Sequence, residues 1–139
     1  MILLDTNVLA ELMRPSPNAH VLEWFASKSA ASLFTTSITE AEIRFGLAIL
    51  PLGRRRRDLQ AAVDAMFAED LATRVLPFDS AAAAAFAKIA ASRRKAGRPI
   101  AQLDAQIAAI ARAHHATLAT RDMRDFAGCG IDRVNPWRR

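Results

Sequence analysis

The stretch Met1-Ile2-Leu3-Leu4-Asp5-Thr6-Asn7-Val8 decides how the remainder of the chain is read. An unbroken apolar run stops at an acid, two small polar residues follow, and an amphipathic pattern begins at Val8. Such a run reads as a strand buried on both faces, as in the middle of a parallel sheet. Asp5 then falls at the strand's carboxyl end, the edge at which open α/β sheets bind ligands. A carboxylate there is costly unless something pairs with it, and no Lys or Arg lies within eight residues in sequence. An Asp in this place can also simply cap the following helix, and the stretch alone leaves both readings open.

The composition narrows the classes. With 139 residues the chain suits one domain, long enough to bury about two-thirds of its unfolded surface. A charged fraction of 24% and a hydrophobic fraction of 52% fit a folded globular protein and not a disordered one. The single cysteine, Cys129, excludes an internal disulfide and a Cys-based zinc site, so a reducing compartment is expected. No basic region precedes the first apolar residues, and no apolar stretch reaches the roughly 18 residues of a membrane span. A cytoplasmic protein is the expectation. The net charge of +5 permits a polyanionic partner. Its basic residues cluster at Arg54-Arg55-Arg56-Arg57 and at Arg93-Arg94-Lys95 with Arg98, each also readable as a solvated helix end.

Further along, helices are expected over Val8–Met13 and from about Asn18 to Ser29, where Val21, Leu22, Trp24 and Phe25 have helical spacing. That spacing makes Trp24 a core residue and not a base-stacking platform. Ser32–Thr36 reads as a strand, Ile38–Leu50 as a helix capped by Ser37 or Thr39 and ended by Pro51, and Arg54–Leu71 as one long helix. A third strand spans Arg74–Phe78, and Asp79 caps an Ala-rich helix that Gly97 stops after Ala96. Leu103–His115 is helical, Thr117–Thr120 a strand, Met123–Phe126 a helical turn and Ile131–Val134 an edge strand. Strands alternating with helices mean an α/β fold: a mostly parallel sheet of four to five strands with helices on both faces.

Four acids stand where patterning does not want them. Glu42 lines up with Ile38, Phe45 and Ile49 on an apolar helical stripe, and Asp104 with Ile100, Ile107, Ala108 and Ala111. Asp122 lies just past a strand's carboxyl end, as Asp5 does, and Asp125 follows three residues later. Carboxylates converging on one sheet edge repel and carry raised pKa values unless a cation neutralises them. Mg²⁺ or Mn²⁺ suits a few carboxylates with waters and phosphates. The competing expectation gives each acid its own basic partner. The histidines His20, His114 and His115 form no catalytic pair, the last two being adjacent at a helix end. No Ser-His-Asp set, HExxH or Gly-rich phosphate loop is present.

Leu4-Asp5-Thr6-Asn7, Ala41-Glu42-Ile43-Arg44-Phe45-Gly46, Leu103-Asp104-Ala105-Gln106-Ile107-Ala108 and Ala119-Thr120-Arg121-Asp122 with Asp125-Phe126 occur in that order. The set resembles the PIN-domain ribonucleases, most of all the toxins of VapC/FitB type II toxin–antitoxin systems. The likeness spans nearly the whole chain, to Asn135-Pro136-Trp137. It implies a three-layer, Rossmann-like α/β/α sandwich and Mg²⁺- or Mn²⁺-dependent cleavage of RNA. Asp5, Glu42, Asp104 and Asp122 match the family's acidic quartet, Thr120 a polar residue that orders the site, and Thr6 and Asn7 the small polar residues beside the first acid. Many relatives carry Asn at the place of Asp122 and take their last acid from that of Asp125; both are acidic here.

The resemblance further implies a homodimer and a cognate antitoxin that blocks the acidic pocket with a basic side chain. In the expected mechanism Asp5 and Asp104 hold the principal metal, with Glu42 and Asp122 as direct or water-mediated ligands. Metal-activated water attacks the phosphate, leaving 5′-phosphate and 3′-hydroxyl ends. Arg54, Arg55, Arg56, Arg57, Arg93, Arg94 and Arg98 are expected on RNA backbone. A HAD-type phosphatase would need a second Asp where Asn7 stands, and a receiver domain a late Lys, whereas Lys95 is the last lysine. A catalytically silent nucleic-acid or protein-binding module of the same fold is the remaining alternative.

Overall fold

The computed structural model describes residues 1–138. Five short strands, β1 (Ile2–Leu4), β2 (Leu33–Thr36), β3 (Val75–Leu76), β4 (Thr117–Ala119) and β5 (Asp132–Val134), form one sheet in the order β3-β2-β1-β4-β5. Every pairing is parallel, with Leu3 opposite Phe34 on one side and Leu118 on the other. Six helices connect them: α1 (Thr6–Leu12), α2 (Ala19–Ala26), α3 (Ser37–Ala48), α4 (Arg54–Ala65), α5 (Ser80–Lys95) and α6 (Gln102–Ala113).

Successive strand residues face opposite ways, so the sheet divides two cores. Leu3 and Leu118 pack with Ile89, Ile107 and Ile110 of α5 and α6. Leu4 and Leu33 pack with Val8, Ile43 and Val63 of α1, α3 and α4. The expected three-layer α/β/α sandwich is therefore observed. No helix among the described residues is long and apolar enough to cross a membrane.

Local chemistry explains where the elements depart from expectation. The strand read as Arg74–Phe78 shrinks to Val75–Leu76, because Pro77 has no N–H for the ladder. The helix expected to run from Arg54 to Leu71 ends as an α-helix at Ala65 and continues as a wider turn over Met66–Asp70. There Leu71 N–H donates to the Met66 carbonyl at 2.9 Å, and the turn seats both Phe67 and Leu71 in the core. α3 starts one turn-position earlier than expected, with the Thr36 hydroxyl accepting from Thr39 N–H at 3.0 Å, so Thr36 is its cap in place of Ser37 or Thr39. Met123–Phe126 forms turns, not a helix. Trp24 is half-buried against the second core, as its spacing suggests, but Leu22 and Phe25 of the same helix stay exposed.

The largest correction concerns α3. Its buried face is Thr39, Ile43 and Leu47, while Phe45 is 62% and Ile49 68% exposed. The stripe on which Glu42 was read as core-facing is thus not the packed one. α3 carries two neighbouring apolar stripes, and sequence spacing cannot say which of them meets the sheet.

Leu3 is fully buried at the centre of the middle strand. Leu3→Ala should lower the unfolding free energy by about 3 kcal/mol, measured by urea denaturation with an unchanged m-value.

Candidate active site

Asp5 ends β1 and caps α1, so the two readings of its role are compatible. It is only 4% exposed. Its Oδ1 accepts from Thr6 N–H at 2.8 Å, and its Oδ2 from the Thr120 hydroxyl at 2.7 Å. Thr120, fully buried just past β4, accepts in turn from Asp122 N–H at 3.0 Å. The Thr6 hydroxyl donates to Glu42 Oε1 at 3.0 Å. Asn7 Nδ2 donates to Asp122 Oδ2 at 3.0 Å, and Asn7 Oδ1 accepts from Arg121 N–H at 3.3 Å. Thr6, Asn7 and Thr120 thus tie Asp5, Glu42 and Asp122 into one network across the ends of β1 and β4. Thr36 and Thr39 extend it: the Thr36 hydroxyl lies 3.2 Å from that of Thr39, which is 3.5 Å from that of Thr6.

Asp104 sits in the first turn of α6, whose cap position, Ala101, offers no side-chain acceptor. Its carboxyl is pushed up to about 6, first by burial and then by the charges of Asp5, Asp125, Glu42 and Asp122. Asp5 is also raised, chiefly by burial; hydrogen bonds from Thr120 and Thr6 oppose this, and Asp122 and Glu42 add repulsion. The five acids therefore feel one another. None of them forms an ion pair among the described residues, where the ion pairs are Arg14–Glu11, Arg44–Glu40, Arg44–Asp64 and Arg54–Asp58. Private basic partners are not the solution used. Asp5 and Asp104 instead lie at the amino ends of α1 and α6, where helix dipoles and free N–H groups favour negative charge.

The set consists of hard oxygen donors short of positive charge, which is the donor chemistry a Mg²⁺-like cation requires. Among the described residues no three Asp, Glu, His or Cys side chains are gathered tightly enough to ligate one ion as they stand. Glu42 and Asp122 are instead held by Thr6 and Asn7.

The basic residues divide. Arg93 is 8% exposed, and its guanidinium donates to the carbonyls of Arg98 (2.7 Å), Asp125 (2.8 Å) and Ala127 (2.9 Å). The expectation that it contacts RNA backbone is corrected, because those donors fasten the loop after β4 to the end of α5. Arg54 pairs with Asp58, Arg56 donates to the Leu50 carbonyl, and Arg55, Arg57, Arg94 and Arg98 are exposed. Residues not singled out from sequence also border the acids: Arg121, Arg124 and Arg138 share a cleft with Asp122 and Asp125. For Arg121 and Arg124 the signal was the interleaving Arg121-Asp122-Met123-Arg124-Asp125; Arg138 had none.

The all-parallel α/β/α sandwich, whose carboxyl-edge acids form no ion pair among the described residues, has counterparts among known proteins. The PIN domain family model matches residues 2–128. Over 137 residues, covering 99% of this chain, the sequence is 42% identical to the VapC ribonuclease Y4jK of Sinorhizobium fredii and 39% identical to Toxin FitB of Neisseria gonorrhoeae, covering 98% and 99% of those proteins. The structure of FitAB bound to an IR36 DNA fragment superposes with a TM-score of 0.93 at 39% identity, covering 99% of this chain and 96% of that one. The chain belongs to the PIN-domain family, in the branch that holds toxins of the VapC and FitB kind.

Two outcomes test this geometry. A carboxyl with a raised folded pKa favours folding when protonated, so that contribution is present at low pH and lost as pH rises from the ordinary carboxylate range through about 6. In metal-free buffer Asp104→Asn should therefore raise the melting temperature by a few degrees at pH 7, and the gain should shrink towards pH 4. Arg93→Met leaves three carbonyls without their donor and should cost at least about 2 kcal/mol in urea unfolding.

Proposed function

We propose that the protein is a Mg²⁺- or Mn²⁺-dependent endoribonuclease, the toxin of a toxin–antitoxin pair acting in the cytoplasm. The observation that carries this reading is the mutually repelling set of Asp5, Glu42, Asp104 and Asp122, with Asp125 beside it, none of which forms an ion pair among the described residues. The names of the full-length relatives, a ribonuclease and a toxin, point the same way.

In this reading Asp5, Asp104, Glu42 and Asp122 hold the cation, and Asp125 adds negative charge or a further oxygen. Once bound, the cation supplies positive charge that acidifies water and offsets charge building on the scissile phosphate. Thr120 and Thr6 keep both oxygens of Asp5 oriented, Thr6 aims Glu42, and Asn7 aims Asp122. Such bonds fix where the substrate's phosphate must lie for in-line attack by water, which leaves 5′-phosphate and 3′-hydroxyl ends. Exposed Arg55, Arg57, Arg94 and Arg98 add long-range attraction for a polyanion.

A homodimer and an antitoxin belong to the same reading. Phe45, Ile49 and Leu52, the last 87% exposed, leave an apolar ridge along and beyond α3. A cleft of about 760 Å³ among α1, α2 and α4 is lined by residues including Leu9, Leu12, Leu22 and Phe25. Both surfaces suit protein partners. A catalytically silent module of the same fold is the competing reading.

Cleavage of labelled total RNA separates the readings. With Mg²⁺ or Mn²⁺ the protein should give discrete products bearing 5′-phosphates, and none in EDTA. Asp5→Asn should lower the rate by about a hundredfold or more while the protein remains folded, since a buried charge is removed. Wild-type rates in that variant would refute the assignment.

A further inference from the structure

An edge of five carboxylates repels a polyanion, so a protein that brings RNA there needs cationic groups within the same cavity, not merely on the same molecule. A cleft of about 400 Å³ opens beside the acids, between the loop after β4 and the segment after β5. Asp122 and Asp125 line it together with Arg121, Arg124, Arg138 and Asn135. Arg124 and Arg138 are exposed, and neither forms an ion pair among the described residues despite the two acids lining the same cleft.

The walls are held in place. The Arg121 guanidinium lies 5.0 Å over the Trp137 ring, and its backbone N–H is bound by the same Asn7 that aims Asp122. Asn135 Oδ1 accepts from Trp137 N–H at 2.9 Å and its carbonyl from Arg138 N–H at 3.1 Å, a turn that sets Arg138 at the rim. Arg133 donates to the Met123 carbonyl and pins the facing loop. Planar guanidinium forks without carboxylate partners are suited to phosphate oxygens.

Resting on the ribonuclease reading, we infer that this cleft holds the RNA strand beside the cut, with Arg124 and Arg138 gripping a phosphodiester next to the scissile one. Arg121, backed by Trp137, forms the floor. The other arginine clusters give long-range attraction, whereas this one sets where the strand lies relative to the acids.

The test is an anisotropy titration of a labelled mixed-sequence RNA in Mg²⁺ across a salt series, in an Asp5→Asn background so that the strand stays intact. Adding Arg124→Ala with Arg138→Ala should weaken binding about tenfold and flatten the log–log salt slope by about 0.7, the value for one phosphate contact on a single strand. A charge-matched pair of exposed lysines, Lys28→Ala with Lys88→Ala, should leave the slope unchanged. Arg124→Gln with Arg138→Gln serves as the second variant should the alanine pair fail to fold. Equal slopes in the arginine and lysine variants would overturn the cleft assignment and leave the ribonuclease reading standing. A background protein that binds no RNA would overturn both together.

Discussion

Mutual repulsion among carboxylates that form no ion pair among the described residues is the constraint on which the remaining architecture depends. Asp5 is almost completely buried at the end of the central strand, and Asp104 is pushed up to about 6 by burial and by its four acidic neighbours. Left alone, such a cluster would splay or drive the site open. The chain contains it with neutral donors: Thr6 and Thr120 on Asp5, Thr6 on Glu42, Asn7 on Asp122. Helix amino ends at Asp5 and Asp104 add fixed partial positive charge. Hydroxyls and amides hold carboxylates in position without neutralising them, so the acids keep their mutual repulsion in the folded protein.

That arrangement needs a parallel sheet. Parallel order directs the carboxyl ends of β1, β2 and β4 to one edge, so the segments following them meet there. The sheet can be this short, with no strand longer than four residues, because it separates two independent cores. Arg93 serves the same edge from below. A buried cation with three carbonyl acceptors and no carboxylate anchors the loop that carries Asp122 and Asp125 to the end of α5. Positive charge is thus divided between a structural role, at Arg93, and a rim of guanidiniums that face solvent beside the acids.

The fold class, the strand ends and the acidic set were legible in the chain because each rests on local chemistry. An apolar run halted by Asp5 marks a buried strand and its edge, Gly97 at φ 73° stops α5, and Asp79 caps it through Ala82 N–H. These signals need only neighbouring residues. The tertiary structure decided what depends on distant ones. Which stripe of α3 is packed was settled by α1, α4 and the sheet, and they chose Thr39, Ile43 and Leu47 over the stripe that carries Phe45 and Ile49. Arg93 looked like one more surface charge until residues over thirty positions away supplied its acceptors. Arg121, Arg124 and Arg138 form a single cleft only because the segment after β5 returns beside the loop after β4. Sequence by itself determined that Asp5 and Asp122 follow the carboxyl ends of strands, since an apolar run halted by polar residues is a local signal. Which charges are buried, paired or open to a ligand was decided only by packing, since burial and long-range contact are properties of the folded chain.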